Sequence, residues 1–531
     1  MAPARRLRRP LLEAVLVALA GSVLSAAVFA RPVLGHLGSR VLGDGTDPQA
    51  FVWSMAWWPH ALAHGLNPLV THAVWADRGF DVLWTSSVPG LSLLAAPVTA
   101  IFGPIAAYNL LAITAPGLAA GALHLLCRGL GARRAGAAAA GLLFAICPYE
   151  AATTTSHLHV SFVAPAIVAA ALVVWAPAAR PAWIAAVGVA AALEFLVAPE
   201  VFVTSLAAGA TVLVLVARLR PEARPAVAVA ARTMAGGVAL ALLICSPVAV
   251  DMALHGPGRL YPPGAYTTDA LNLVLPTVLT AIRPPFAGDV AAHFPGNLSE
   301  QGGYLGLVVL ALVAGLATRR ATRRAFAVPL AFLAVALVAS FGPRLQIDGS
   351  PGGPLPMAVA GHLPLVDNVL PSRLALYVWL AVCVVFALWL SRGRSPARWL
   401  AFALAALSVA PAVGHAANWY APAHTGRFFA EHEDRRLLRP GERVLVLPII
   451  TSDAYGAQAV GGFRFALVNG MRPATIAYDP GRPETVAPLV RRGQVDAAIV
   501  DGRADPRWRP MLLRAGLRPR PVAGAFLYRW R

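Results

Sequence analysis

Apolar stretches long enough to cross a bilayer recur along most of this chain, and the short gaps between many of them hold arginine and almost no acid. They fall at about 11–30, 88–103, 105–126, 135–150, 158–177, 183–198, 201–217, 233–252, 303–318, 325–341, 373–391 and 399–414. With 58% hydrophobic and 13% charged residues over 531 positions, water is not the main solvent of such a chain. The formal net charge of +19 is carried by arginine alone, since no lysine occurs, and outside the tail most of it sits in those gaps. That placement signals topology rather than nucleic-acid binding. The alanine, glycine, proline and arginine bias is that of a GC-rich bacterial genome. Cys127, Cys147, Cys245 and Cys383 lie in or at the ends of apolar stretches, so neither a disulfide framework nor a Cys-rich zinc site is expected.

Residues 1–30 combine Arg5, Arg6, Arg8 and Arg9 with an apolar run of spanning length, which predicts an uncleaved signal anchor starting inside. If every stretch crossed, Arg128 to Arg134, Arg218 to Arg232 and Arg319 to Arg324 would all lie outside, against the positive-inside rule. Removing one early crossing repairs every later gap. The weakest stretch is 88–103, broken by Pro89, Gly90 and Pro97, and it is predicted to lie in the outer interface. The fold class expected is therefore an all-α polytopic membrane bundle of about eleven transmembrane helices, with the C-terminus outside.

Residues 1–414 form the expected membrane domain, with long outer loops at 31–104, 253–302 and 342–372; loops of that length usually carry function. In the first, Trp53, Trp57, His60 and His64 fall at helical spacing, as in an amphipathic helix resting among lipid headgroups. The other two, rich in proline and glycine, should be irregular but packed. Residues 415–531 read as a small extracytoplasmic α/β domain, with strands at Arg443 to Ile450, Asp496 to Asp501 and Ala525 to Trp530 and a helix near Glu484 to Arg492.

The sharpest constellation is Gly43-Asp44-Gly45-Thr46-Asp47-Pro48-Gln49, just after the first span. A carboxylate beside a low-dielectric slab is suited to accepting a proton from a hydroxyl nucleophile. The same Asp47-Pro48 pair also reads as a plain helix start. His60, His157, His159 and Glu150 are candidates for lining a substrate pocket, with interfacial hydrogen bonding as the blander account. Glu194, inside an apolar stretch, must face a cavity, be protonated or bind a neighbouring helix.

The order of these parts resembles the C-type, polyprenyl-phosphate-sugar-dependent membrane glycosyltransferases. The resemblance is carried by Gly45-Thr46-Asp47-Pro48-Gln49, Trp57-Trp58-Pro59-His60, Asn67-Pro68-Leu69, Pro104 to Asn109 and Ser156-His157-Leu158-His159, and it is best over residues 1–180. The chain looks like a bacterial branch of that class. It lacks the paired acids that many relatives carry near the first helix. The resemblance implies sugar transfer from a polyprenyl-phosphate donor to a glycan, lipid or protein acceptor, with Asp47, or else Asp44, as the early-loop acid. It implies that an outer-loop arginine, Arg259, Arg283 or Arg373, holds the lipid phosphate. An arginine fork suits that role, while snorkelling at the interface is the plainer alternative. No cofactor is required, no metal ligand is assigned, and the partners are the lipid-linked donor, its acceptor and membrane lipids, not nucleic acid. A transporter or lipid flippase and a non-catalytic envelope assembly protein remain the alternatives.

The topology is open to direct test by cysteine substitution and impermeant labelling. Reagent added outside should reach single cysteines within 260–300, 350–370 and 430–520 but none within 128–134, 218–232 or 319–324; labelling at 319–324 would overturn the eleven-helix arrangement.

Overall fold

A computed structural model describes the chain except for positions 1, 44, 46, 257–260, 263, 361–367, 394, 414–419, 423–426, 448–452, 469–481, 503, 505 and 531. It divides into two compact units: Met1–Leu34, Leu111–Ser246 and Arg259–Trp419 form the first, and Gly35–Leu110, Pro247–Gly258 and Tyr420–Arg531 the second.

The first unit is a helical bundle. Seven helices among the described residues are long and apolar enough to cross a membrane: Leu7–Val28, Pro104–Gly129 (begun in the second unit), Arg134–Thr153, Leu158–Trp175, Pro199–Leu219, Pro221–Ile244 and Pro371–Leu390. Three shorter apolar helices, Pro181–Val197, Gly306–Thr318 and Ala327–Ser340, occupy further expected stretches, and Pro396–Ser408 follows. A helix of 13 residues reaches about 20 Å, shorter than a ~30 Å hydrocarbon slab, so the seven longer helices are the ones of full spanning length among the described residues. Proline opens several of these helices, where its missing N–H costs nothing.

Glycine sets the closest approaches in the bundle. A Cβ on Gly117 would stand 2.2 Å from Ser22 Oγ, and one on Gly121 2.6 Å from the Ala14 carbonyl, so the first two spans touch backbone to backbone. The opposite side of the first span bears Leu12, Leu16, Leu19 and Val23, each more than half exposed and spaced as one helical stripe, which suits lipid. Glu194 is buried within Pro181–Val197 and accepts the Ala166 N–H at 3.0 Å, at the start of Ala164–Trp175; it holds a neighbouring helix end. The two proline-rich loops are packed through Asp269, which is 1% exposed and accepts the N–H groups of Asp348 (3.1 Å), Gly349 (2.8 Å) and Leu271 (2.9 Å).

In the second unit, residues 88–103 form two helices, Pro89–Leu94 and Ala96–Phe102, that break at Ala95, and neither is long enough to cross. The tail carries a five-stranded mixed sheet in the order Arg518–Val522, Ala525–Arg529, Ala497–Asp501, Arg443–Leu447, Ala466–Leu467. Arg443–Leu447 runs parallel to both neighbours, and the rest is antiparallel. Leu445, Val490, Leu512, Leu517, Trp508 and Tyr528 close its core. The helix Pro483–Arg491 and three of the strands fall where the sequence places them. Arg518–Val522 was not expected, because Pro519 and Pro521 argue against a strand; both are tolerated there since the strand is an edge.

Two expectations are corrected. The first outer loop does not belong with the membrane domain: Arg40–Leu42 pairs antiparallel with Tyr420–Pro422, and the loop helix Asp47–Ala63 packs on the tail helix Asp453–Val460. Nor do its tryptophans form an interfacial belt. Trp53, Trp57 and Trp58 are each at most 4% exposed, and their indoles donate to Gln458 Oε1 (2.8 Å), the Pro68 carbonyl (2.9 Å) and Ser87 Oγ (2.9 Å). A buried indole with a partner for its N–H is a packing element, not a headgroup anchor.

Gln458 is the polar centre of this packing. Fully buried, it also donates to the carbonyls of Ala73 (2.6 Å) and Phe465 (2.8 Å). Gln458→Leu strands one indole N–H and two carbonyls and should cost about 2 to 4 kcal/mol. Thermal unfolding and protease sensitivity of the tail report this; unchanged stability would contradict the shared core.

Candidate active site

In the first unit, segments far apart in sequence meet on one guanidinium. Arg373 stands in the 3-10 turn Pro371–Leu374, ahead of the helix Ala375–Leu390, with its side chain 15% exposed. Its Nη2 and Nε donate to Glu300 Oε1 at 2.9 and 3.1 Å, and its Nη1 donates to Glu200 Oε2. His159 Nε2 lies 3.4 Å from the same Nη1, and His157 Nδ1 lies 3.5 Å from Glu300 Oε1. Each carboxylate is fixed again from its far side: Glu300 Oε2 accepts from Ser372 Oγ (2.9 Å), and Glu200 Oε1 from the Leu370 N–H (2.9 Å).

Local sequence explains these positions. Pro199 opens the helix that bears Glu200, whose charge suits a helix N-terminus. Glu300 ends the turn Leu298–Glu300, which is followed by Gly302; a Cβ there would stand 2.9 Å from Tyr149 Cα, so only glycine lets this turn approach the helix Pro148–Thr153. That helix carries Glu150, fully buried, whose Oε2 accepts from Ser161 Oγ at 2.6 Å while Oε1 has no hydrogen-bond partner among the described residues. Burial opposes ionisation of Glu300, but the charges of Arg373 and His157 and the hydrogen bonds from Arg373 and Ser372 outweigh it and hold this carboxyl below its ordinary value.

Arg373, His157, His159 and Glu150 thus fall in one largely buried region, joined by Glu200 and Glu300, which sequence reading does not single out as site residues. Carboxylates occupy the Arg373 guanidinium on two sides, so a lipid phosphate held there would have to displace one. Arg283 is half-buried and donates to the Thr280 carbonyl at 2.9 Å. Arg259 and Asp44 lie outside the described residues.

Asp47 belongs to the second unit, where it is half-buried at the first residue of the loop helix. The turn leading to it needs Gly43 and Gly45, both near φ +90°. Asn109 anchors that approach: its Oδ1 accepts the Leu42 N–H (2.9 Å), and its Nδ2 donates to the Leu37 (2.8 Å) and Arg40 (2.6 Å) carbonyls. Tyr108 Oη donates to the Leu42 carbonyl (2.8 Å). His60, expected to line a substrate pocket, is placed on the loop helix Asp47–Ala63. It stacks on Phe463 (4.8 Å between centroids) and His64 (4.1 Å), and burial, with the nearby His64, pushes its pKa down.

These parts define a polytopic membrane protein with an acid-headed loop after its first span. Known structures share that fold. The apo oligosaccharyltransferase of Archaeoglobus fulgidus superposes with a TM-score of 0.52 at 13% identity, covering 97% of this chain and 74% of that one. The same archaeal enzyme, AglB, in complex with an inhibitory peptide and a dolichol-phosphate gives 0.50 at 12% identity and the same coverage. Arabinofuranosyltransferase AftD from Mycobacteria gives 0.56 at 15% identity, covering 97% of this chain but 41% of that one. The fold is that of the C-type membrane glycosyltransferases. The family described as "Domain of unknown function (DUF6311)" matches residues 18–410, and the chain belongs to it. No curated protein matches.

Arg373→Met, which leaves the buried Glu300 and the half-buried Glu200 without their cation, should cost about 3 kcal/mol. For Glu300 the native state holds the proton less tightly than the unfolded chain. Its contribution is therefore present above about pH 4.3 and is lost as pH falls through the lowered native value. Glu300→Gln should flatten the acid limb of a stability-versus-pH curve; an unchanged limb would contradict the ion pair.

Proposed function

We propose that this protein transfers a sugar from a polyprenyl-phosphate donor to an acceptor hydroxyl at the outer face of a bacterial cytoplasmic membrane. The observation that carries this reading is Asp47, presented at the head of a packed loop helix just after the first span, in a fold shared along 97% of the chain with an archaeal oligosaccharyltransferase and a mycobacterial arabinofuranosyltransferase. In the proposed reaction Asp47, or Asp44 beside it, takes the proton from the acceptor hydroxyl as its oxygen attacks the anomeric carbon. The bond from that carbon to the phosphate oxygen breaks, the configuration inverts in one displacement, and the lipid phosphate leaves with the bonding electrons. Arg283 and Arg259 stabilise the departing phosphate as paired donors. Arg373 acts as a positioning residue, ordering Glu200, Glu300 and the histidine segment. The topology proposed with this reading has about eleven crossings, the N-terminus inside and the C-terminus outside.

Asparagine keeps the size of Asp47 and loses its basicity. Asp47→Asn should leave a folded, inserted protein and lower transfer by about 10²- to 10⁴-fold, with Asp44→Asn costing less and Arg283→Ala mainly weakening use of the lipid donor. Near-normal transfer by Asp47→Asn would remove it as the base. Activity in both aspartate variants would favour the transporter and assembly readings.

A further inference from the structure

Away from these residues, one trio of metal-binding side chains stands together in the second unit. Asp81 ends the short strand Phe80–Asp81, paired with Val70–Thr71, and is oriented by accepting the Leu83 N–H on Oδ1 at 2.9 Å. Asp251 lies on the helix Ser246–Leu254, and His255 follows one turn later, its Nδ1 3.1 Å from Asp251 Oδ1. One donor atom from each residue lies within 4.8 Å of the others. Asp251 has a side chain 14% exposed, and its Oδ2 is buried with no hydrogen-bond partner among the described residues. Burial, and after it the charge of Asp251, raises the Asp81 carboxyl above its ordinary value although the Leu83 N–H opposes this, so the two acids disfavour each other's ionisation. A cation placed between them removes that conflict.

We propose that Asp81, Asp251 and His255 bind a divalent transition-series cation, Mn²⁺ or Zn²⁺. Two carboxylate oxygens and one imidazole nitrogen form a mixed set: the imidazole disfavours Mg²⁺ and Ca²⁺, and the absence of thiolate disfavours softer ions. Ligand bonds of about 2.0–2.2 Å require the three side chains to draw slightly closer, which exposed His255 can do by rotating. The ion joins the first-loop hairpin to a helix some 170 residues later in sequence and braces the loop that also bears Asp47. None of the three ligands has a part in the proposed transfer, so the site stands or falls separately from that reaction.

The test is Mn²⁺ titration of the full chain, purified in detergent and stripped of metal, followed by electron paramagnetic resonance. Wild type should bind one more Mn²⁺ than His255→Ala or Asp251→Asn, or bind it at least ~10-fold more tightly than either. The bound ion should show ¹⁴N modulation in pulsed spectra that disappears in His255→Ala, and Zn²⁺ should displace it. Mn²⁺ should raise the melting temperature of wild type but not of His255→Ala, whose exposed side chain makes it the variant least prone to misfold. If His255→Ala keeps the same stoichiometry, affinity and ¹⁴N modulation, or if wild type binds neither ion, the site does not exist.

Discussion

A largely buried guanidinium shared by two carboxylates is the constraint on which the arrangement of the first unit depends. Each of the three charges would be costly to bury alone, and together they are tolerable because every edge of the cluster is hydrogen-bonded. Arg373, Glu200 and Glu300 come from three separate segments, so satisfying the charges fixes where those segments meet. His157 and His159 are drawn in by the same cluster, and Gly302 permits the backbone approach it needs.

In the second unit the equivalent problem is solved with neutral groups. Gln458 takes up an indole N–H and supplies two carbonyls, while Asn109 performs the same service for the turn before Asp47. Fully satisfied amides of this kind specify one arrangement without the desolvation cost of an ion. The loop carrying the proposed base is thereby packed against the tail rather than left to the lipid surface.

Much of this was legible in the sequence wherever a local rule governs. Hydrophobic runs and arginine gaps mark the long helices, the prolines and glycine of 88–103 mark a segment broken at Ala95, and short continuous apolar runs mark Arg443–Leu447 and Ala497–Asp501. What escaped depends on partners distant in the chain. The Trp53 indole looks like a headgroup anchor until Gln458, 405 residues later, is seen to receive it, and Glu300 looks like a solvated loop acid until Arg373 is placed beside it, 73 residues away. The strand Arg518–Val522 was hidden for a different reason: its prolines oppose strand formation everywhere except at an edge, and edge position belongs to topology.

The central claim, that this fold handles a polyprenyl-phosphate-linked sugar, is most directly examined by a cryo-EM structure of the full chain with polyprenyl phosphate bound. The account requires the phosphate to lie within hydrogen-bonding distance of the Arg283 guanidinium, with Arg373 still engaged by Glu200 and Glu300. A phosphate held elsewhere and touching no outer-loop arginine, or no specific binding of the lipid at all, would contradict it.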